Sequence, residues 1–167
     1  MTNSELSNLK NKEILVTGGC GFIGSEIVKQ LSQIGANVTV VDNLSSGKEK
    51  YIQGLSNVNL IVGDLLDQDV IKSAVKDKEY VINNAALPFI PDSYHIPKKF
   101  FDVNVNATIS LALSVIKEKK AKKTKKILSG QIKKGLKKIK NIKNIIIAYE
   151  PVWSIGTGLV PKNNELL

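Results

Sequence analysis

The chain has no arginine, one cysteine, one histidine and one tryptophan in 167 residues, and nowhere a run of eighteen apolar residues. Each shortage removes a class of function. Arginine is the planar fork that suits phosphates and guanine edges, so its absence argues against specific nucleic-acid recognition. Cys20 alone forms no intrachain disulfide and fits a reducing compartment. One cysteine and one histidine cannot assemble a typical zinc site, so no metal centre is expected, and His95 reads as a solvated loop residue. No segment is expected to span a membrane. The opening MTNSELSNLK lacks the apolar core of a secretory signal, and the expectation is a cytoplasmic protein.

Charge is unevenly spread. The net charge is +9, yet residues 1–116 carry ten lysines against twelve acids. Residues 117–143 hold thirteen lysines and only Glu118, so the whole excess sits in one short segment. A lysine-only run of this kind reads as a solvated helix face.

Short apolar runs alternate with amphipathic stretches over the first two-thirds. Glu13–Thr17, Asn37–Val41, Asn59–Val62 and Tyr80–Ile82 read as strands. Phe22, Ile23, Ile27, Leu31 and Ile34 recur at helical spacing, and Gly35 closes that helix. Further helices are expected around Gln68–Val75 and Phe100–Lys117. Such alternation implies an α/β fold with parallel strands and right-handed crossovers. The basic run EKKAKKTKK marks a boundary. Beyond it, Ile127–Ile139 reads as a lysine-rich helix, Asn144–Tyr149 as a β-branched strand and Glu150–Gly158 as a loop.

Thr17–Gly24 reads TGGCGFIG, with Gly18, Gly21 and Gly24 three residues apart between an expected strand and an expected helix. A turn that brings backbone N–H groups against a pyrophosphate has no room for a Cβ there, and the last glycine lets the helix pack close to the strand. Asp42 ends the next strand, eighteen residues after Gly24. A carboxylate there can accept both ribose hydroxyls and repels a 2′-phosphate, so the expected cofactor is NAD rather than NADP.

These motifs resemble the extended short-chain dehydrogenase/reductase family, and within it the nucleotide-sugar epimerases and dehydratases. TGGCGFIG is similar to that family's phosphate-binding turn, which implies contacts from Gly18, Gly21, Phe22, Ile23 and Gly24. VDNLSSG (Val41–Gly47) resembles its ribose-binding strand end, with Asp42, Asn43 and Ser45. GDLLD (Gly63–Asp67) resembles its adenine-contacting strand end, where Asp64 would approach the adenine amino group beside Leu65. INNAA (Ile82–Ala86) resembles its H-x-A-A stretch, with Ala85 and Ala86 beside the pyrophosphate and Asn83 in place of histidine. NVNAT (Asn104–Thr108) resembles its N-V-x-G-T helix, adding Asn104. The resemblance covers about residues 11–120 and implies a Rossmann-like parallel sheet of order 3-2-1-4, an NAD cofactor and a sugar-nucleotide partner.

The family's hydride chemistry uses a Tyr-x-x-x-Lys pair on one helical face, where the ammonium lowers the phenol pKa. Tyr94 and Lys98 have that spacing but are expected in the loop after the fourth strand, and Pro97 disfavours a helix through Ile96. They are not read as catalytic. No later pair and no Ser-Ser-x motif occur, so the active site is incomplete and no catalytic residue is assigned from this family.

The tail resembles another family. AYEPVWSIGTG (Ala148–Gly158) is similar to the triosephosphate isomerase signature, which implies Glu150 as enolising base, Pro151, Val152 and Trp153 as a loop hinge, and Gly156 offering its backbone N–H to phosphate. The match covers about residues 127–165. A barrel of that family needs eight strands and about 250 residues, so this segment reads as a fragment. The chain is therefore an apparent chimera: residues 1–120 form an NAD-binding half-domain, and residues 121–167 a helix–strand–loop tail. The alternative function is an isomerase-type fragment using Glu150. The edge of the fourth strand invites a fifth, and Asn144–Tyr149 is expected to add there, extending the order to 3-2-1-4-5.

Overall fold

In the computed structural model, residues 7–136 are described, with side chains for residues 8–122. The run EILVT forms β1 (Glu13–Thr17), and both its faces are covered: Ile14 and Val16 join one core and Leu15 the other. A strand buried on two sides favours such a continuous apolar, β-branched run over strict alternation. β1 lies between β2 (Asn37–Asp42) and β4 (Tyr80–Asn83), while β3 (Val58–Val62) pairs with the outer edge of β2. All pairs are parallel, in the order β3-β2-β1-β4. That is the expected Rossmann-like arrangement, with each strand within one residue of its expected bounds.

Helix α1 (Phe22–Gln33) covers one face, where Val28 and Leu31 meet Ile14, Val16, Val38 and Val40. It ends in a Schellman turn: Gly35 takes φ +79, Ala36 N–H donates to the Leu31 carbonyl, and Gly35 N–H to that of Ser32. Helix α2 (Gln68–Val75) covers the other face with Ile71, Ala74 and Val75. Its N-cap is Asp67, whose carboxylate accepts the Asp69 N–H at 2.8 Å.

Segment 90–101 departs from the expected loop. It forms two short helices, α3 (Ile90–His95) and α4 (Pro97–Phe101), separated by Ile96 at φ −131, ψ 53. Pro97 takes the first helical position of α4, where its missing N–H has no role. The proline therefore breaks one helix and starts another, and His95 is an exposed helix-end residue rather than a loop residue. A π turn at Asp102–Asn106 follows, closed by the Ala107 N–H on the Asp102 carbonyl.

Helix α5 (Ala107–Leu136) is the second departure. It runs unbroken through the expected boundary at residues 121–127, because Lys and Ala are good helix formers and the lysine run need bury nothing. Ala107 and Leu111 pack against Leu15 and Val41 on the face that α2 also covers. An 18-residue window within Pro97–Lys122 also reaches a mean hydropathy of 1.2, long and apolar enough for a membrane span by length and composition alone. It nonetheless carries Asp102, Asn104 and Asn106 along with those two sheet-covering residues. Contacts divide the chain into two units, residues 1–118 and 119–167; of the second, α5 is described as far as Leu136. The last turn of the helix expected at Ile127–Ile139, the strand Asn144–Tyr149 with its fifth place in the sheet, the loop after it and Glu150 lie outside the described residues.

Candidate functional site

Parallel strands end on one side, so the loops after β1, β2, β3 and β4 meet at a single carboxyl edge. The glycine turn follows β1. Gly18 has φ +65, donates its N–H to the Val41 carbonyl at 2.8 Å, and lies so near Ala85 that a Cβ would stand 2.8 Å from the Ala85 Cα. A Cβ on Gly24 would fall on the Gly18 carbonyl oxygen. Folding thus requires both glycines. Gly21 differs. Its φ of −78 and ψ of 178 suit any residue, and its Cβ would meet only the Gly18 carbonyl, at 3.3 Å. Gly21 caps α1 without a side-chain hydrogen bond, and the first turn holds no acid. The opening N–H groups of a helix have no intrahelical acceptors, and with the helix dipole they favour an anion. Phe22 and Ile23, which begin this turn, are 94% and 63% exposed.

Asp42 ends β2 and is buried. One carboxylate oxygen accepts the Cys20 N–H and the other the Leu44 N–H, each at 2.9 Å. Each oxygen retains a lone pair for a further donor. The Cys20 thiol is pushed up to about 11, mainly by burial and then by the Asp42 charge, which leaves it unreactive. The loop after β2 is seated on the same residue, since Lys48 N–H donates to the Cys20 carbonyl at 2.9 Å. Within it, the Ser45 N–H donates to Asn43 Oδ1 at 3.0 Å. The Asn43 amide nitrogen in turn donates to Asp64 Oδ2 at 2.9 Å, joining the loops after β2 and β3. The other Asp64 oxygen accepts the Leu66 N–H at 2.9 Å, and Leu65 between them is buried.

A buried hydroxyl organises the end of β4. Thr17 Oγ1 donates to Asn83 Oδ1 at 2.6 Å and accepts the N–H groups of Asn84 (3.1 Å) and Ala85 (3.2 Å). The Asn83 amide continues to Thr108 Oγ1 at 3.0 Å, tying β1, β4 and α5 together. Ala85 is thereby held against Gly18, with Ala86 exposed beside it. Asn104, in the π turn, takes the Leu87 N–H on its Oδ1 at 2.8 Å and returns its amide to the Leu87 carbonyl at 3.0 Å. Both its polar groups are engaged with backbone, so it fixes the loop after β4.

The structure thus gathers Gly18, Gly21, Gly24, Asp42 and Ala85 about the glycine turn and links Asn43, Ser45 and Asp64 beside it. Glu150 lies outside the described residues. Sequence reasoning missed Thr17, Asn83, Thr108 and Cys20 as the connections among these loops. Thr17 carried a signal, standing as the last strand residue before the turn. The pair Tyr94 and Lys98 does not assemble: Tyr94 is 81% exposed on α3, and the Lys98 ammonium donates to Asp102 Oδ2 at 2.5 Å. No group of three or more metal-ligating side chains occurs among the described residues.

Comparison with known proteins agrees with this geometry. A UDP-N-acetyl-alpha-D-glucosaminuronate decarboxylase of Bacillus cytotoxicus is 32% identical over 110 residues, covering 65% of this chain and 34% of that protein. A putative UDP-glucose 4-epimerase of Methanocaldococcus jannaschii is 38% identical over 99 residues, covering 59% and 32%. Among solved structures, a UDP-N-acetylglucosamine 4-epimerase from Methanobrevibacter ruminantium, in complex with UDP-N-acetylmuramic acid, superposes with TM-score 0.59 at 40% identity, covering 63% of this chain and 34% of that one. An epimerase from Methanothermobacter thermautotrophicus gives 0.65 at 35%, covering 66% and 33%. The UDP-glucose 4-epimerase of Thermus thermophilus, solved with NAD, gives 0.56 at 34%, covering 61% and 33%. The chain spans about a third of the length of these relatives. The triosephosphate isomerase family matches residues 111–166, overlapping a longer match that ends at residue 132. That longer match, residues 14–132, is to the NAD dependent epimerase/dehydratase family, and the chain belongs to it.

Proposed function

We propose that this chain binds NAD at the carboxyl edge of its sheet, as the cofactor half of a nucleotide-sugar epimerase or dehydratase. Gly21 carries the reading. Gly18 and Gly24 are glycines because the fold needs them, whereas Gly21 has ordinary dihedrals and a Cβ there would meet a single atom, the Gly18 carbonyl oxygen, in a tight contact at 3.3 Å. Beyond that one contact its side is open, at an uncapped helix N-terminus suited to a pyrophosphate. In this reading Gly18, Gly21, Phe22, Ile23 and Gly24 hold the pyrophosphate with Ala85 and Ala86. Asp42, Asn43 and Ser45 hold the adenosine ribose, Asp64 and Leu65 the adenine, and Asn104 fixes the loop that passes the nicotinamide side. The bound cofactor would supply hydride exchange; these residues bind and orient it. A sugar nucleotide is the proposed substrate class, following the relatives' named substrates.

The domain reading is proposed with it: residues 1–120 as the NAD-binding half and 121–167 as an isomerase-like tail, in a cytoplasmic protein. The match of residues 111–166 to triosephosphate isomerase favours a second reading, an isomerase-type fragment acting through Glu150.

Calorimetric titration of NAD into wild type and Gly21→Val tests the main reading. A branched side chain at Gly21 should abolish measurable binding while far-UV circular dichroism stays near wild type and the thermal midpoint falls only slightly, a small shift relieving the 3.3 Å contact. Undiminished binding by the variant would remove the glycine turn from the site.

A further inference from the structure

We propose that Asn43 is a positioning residue that sets base specificity, by aiming the Asp64 carboxylate at the adenine amino group. The proposal rests on the NAD-binding reading above. Asp64 has two acceptor oxygens, and both are oriented by donors of this chain: Oδ1 by the Leu66 N–H and Oδ2 by the Asn43 amide. A carboxylate only accepts, so a base edge that offers an amine is attracted and one that offers a carbonyl is repelled. How well it discriminates depends on how firmly it is held.

Asn43 can hold it because its own orientation is determined. Its Oδ1 takes the Ser45 N–H, which leaves the amide nitrogen as the atom facing Asp64. The loop beneath is pinned at several points. Asp42 accepts the Leu44 N–H, Lys48 donates to the Cys20 carbonyl, and buried Gly47 leaves no room for a Cβ, which would lie 2.8 Å from the Cys20 carbonyl carbon. Asn43 thus stands on a fixed loop at the end of β2 and reaches across to the end of β3. A hydrogen bond to a charged group has enough strength to fix a rotamer that would otherwise turn in solvent.

The experiment compares NAD with nicotinamide hypoxanthine dinucleotide, which carries a 6-oxo group where adenine has its 6-amine. Dissociation constants for both are measured on wild type, Asn43→Ala and Asn43→Ser, each checked for folding by circular dichroism. Wild type should prefer NAD by about tenfold or more, the span of one hydrogen bond to a charged group. Both variants should lose most of that preference: a lost ribose contact weakens both dinucleotides alike, and NAD binding falls further than that of the hypoxanthine analogue. General loosening of the loop would weaken both dinucleotides alike and leave the ratio intact, which would overturn the proposal. So would a wild type that does not distinguish them. Failure of wild type to bind either dinucleotide would instead reject the NAD-binding reading itself.

Discussion

Both carboxylate oxygens of Asp42 accept backbone N–H groups, those of Cys20 and Leu44, in addition to any ribose hydroxyl they receive. The residue therefore joins the glycine turn to β2 in addition to the ribose-facing role proposed for it, and the two roles respond differently to substitution. A 2′-phosphate about 4 Å from this carboxylate would be repelled by roughly 4 kcal/mol per unit charge at an effective dielectric near 20. Wild type should accordingly bind NAD at least about a hundredfold more tightly than NADP, by calorimetry with both. Equal affinities would remove Asp42 from the ribose. Asp42→Ala should relieve that repulsion yet still not bind NADP well, because it also frees the Cys20 N–H from its acceptor and loosens the turn. Gly24→Ala should damage the fold rather than the affinity alone, since its Cβ falls on the Gly18 carbonyl; its thermal midpoint should drop well below that of Gly21→Val. Asp42 was legible in the sequence as a polar residue closing an apolar strand. Its bond to Cys20 was not, because the two are twenty-two residues apart and meet only once β1 and β2 are paired.

At the scale of elements, the opposite end of the sheet has its own electrostatics, with no part in the proposed site. Lys78, just before β4, donates to Glu13 Oε2 at 2.9 Å, and Asn37 at the start of β2 donates to Glu13 Oε1 at 2.9 Å. Glu13 thereby joins three strand starts, and the Lys78 hydrogen bond, ahead of the Asn37 one, lowers its pKa from 4.5 against an opposing desolvation. Because the folded value lies below the unfolded one, its stabilisation is fully present above about pH 4.5 and is lost as pH falls through the lowered value. The side chain is 38% exposed, so the effect is small. Glu13→Gln should flatten the acid side of a stability–pH curve measured by urea denaturation, lying slightly below wild type at pH 7 and converging with it in acid; an unchanged acid slope would show that the pair contributes nothing. The strands and α1 were readable because each is set by local pattern, apolar runs and a glycine stop. Segment 90–101 was misread because Pro97 signals a break without saying whether helix resumes after it. Helix α5 was cut short because a charge run resembles a linker by composition, although its residues favour helix.

For the whole molecule the question is whether a family cofactor site amounts to an enzyme. Hydride exchange in the family it resembles needs a phenol and an ammonium on one helical face. Tyr94 and Lys98, the pair with that spacing, sit on separate short helices either side of Ile96. Tyr94 is exposed, and Lys98 is engaged by Asp102, so the Lys98 ammonium is not directed at the Tyr94 phenol. Glu150, taken as an enolising base, would need an electrophile and a closed cavity to hold the developing charge, since proton abstraction without them is slow. The isomerase match, residues 111–166, is far shorter than the eight strands that build such a cavity. The 167-residue chain should therefore bind NAD while showing no epimerisation of UDP-glucose and no interconversion of triose phosphates above background. A coupled spectrophotometric assay of each reaction, on protein whose NAD binding has first been titrated, separates the outcomes. Epimerisation by the chain alone would require an acid–base pair other than Tyr94 and Lys98. Isomerisation lost in Glu150→Gln would show that the tail forms a working site. Binding without either reaction leaves the chain as a cofactor-binding half, its chemistry dependent on groups that residues 14–132 do not supply.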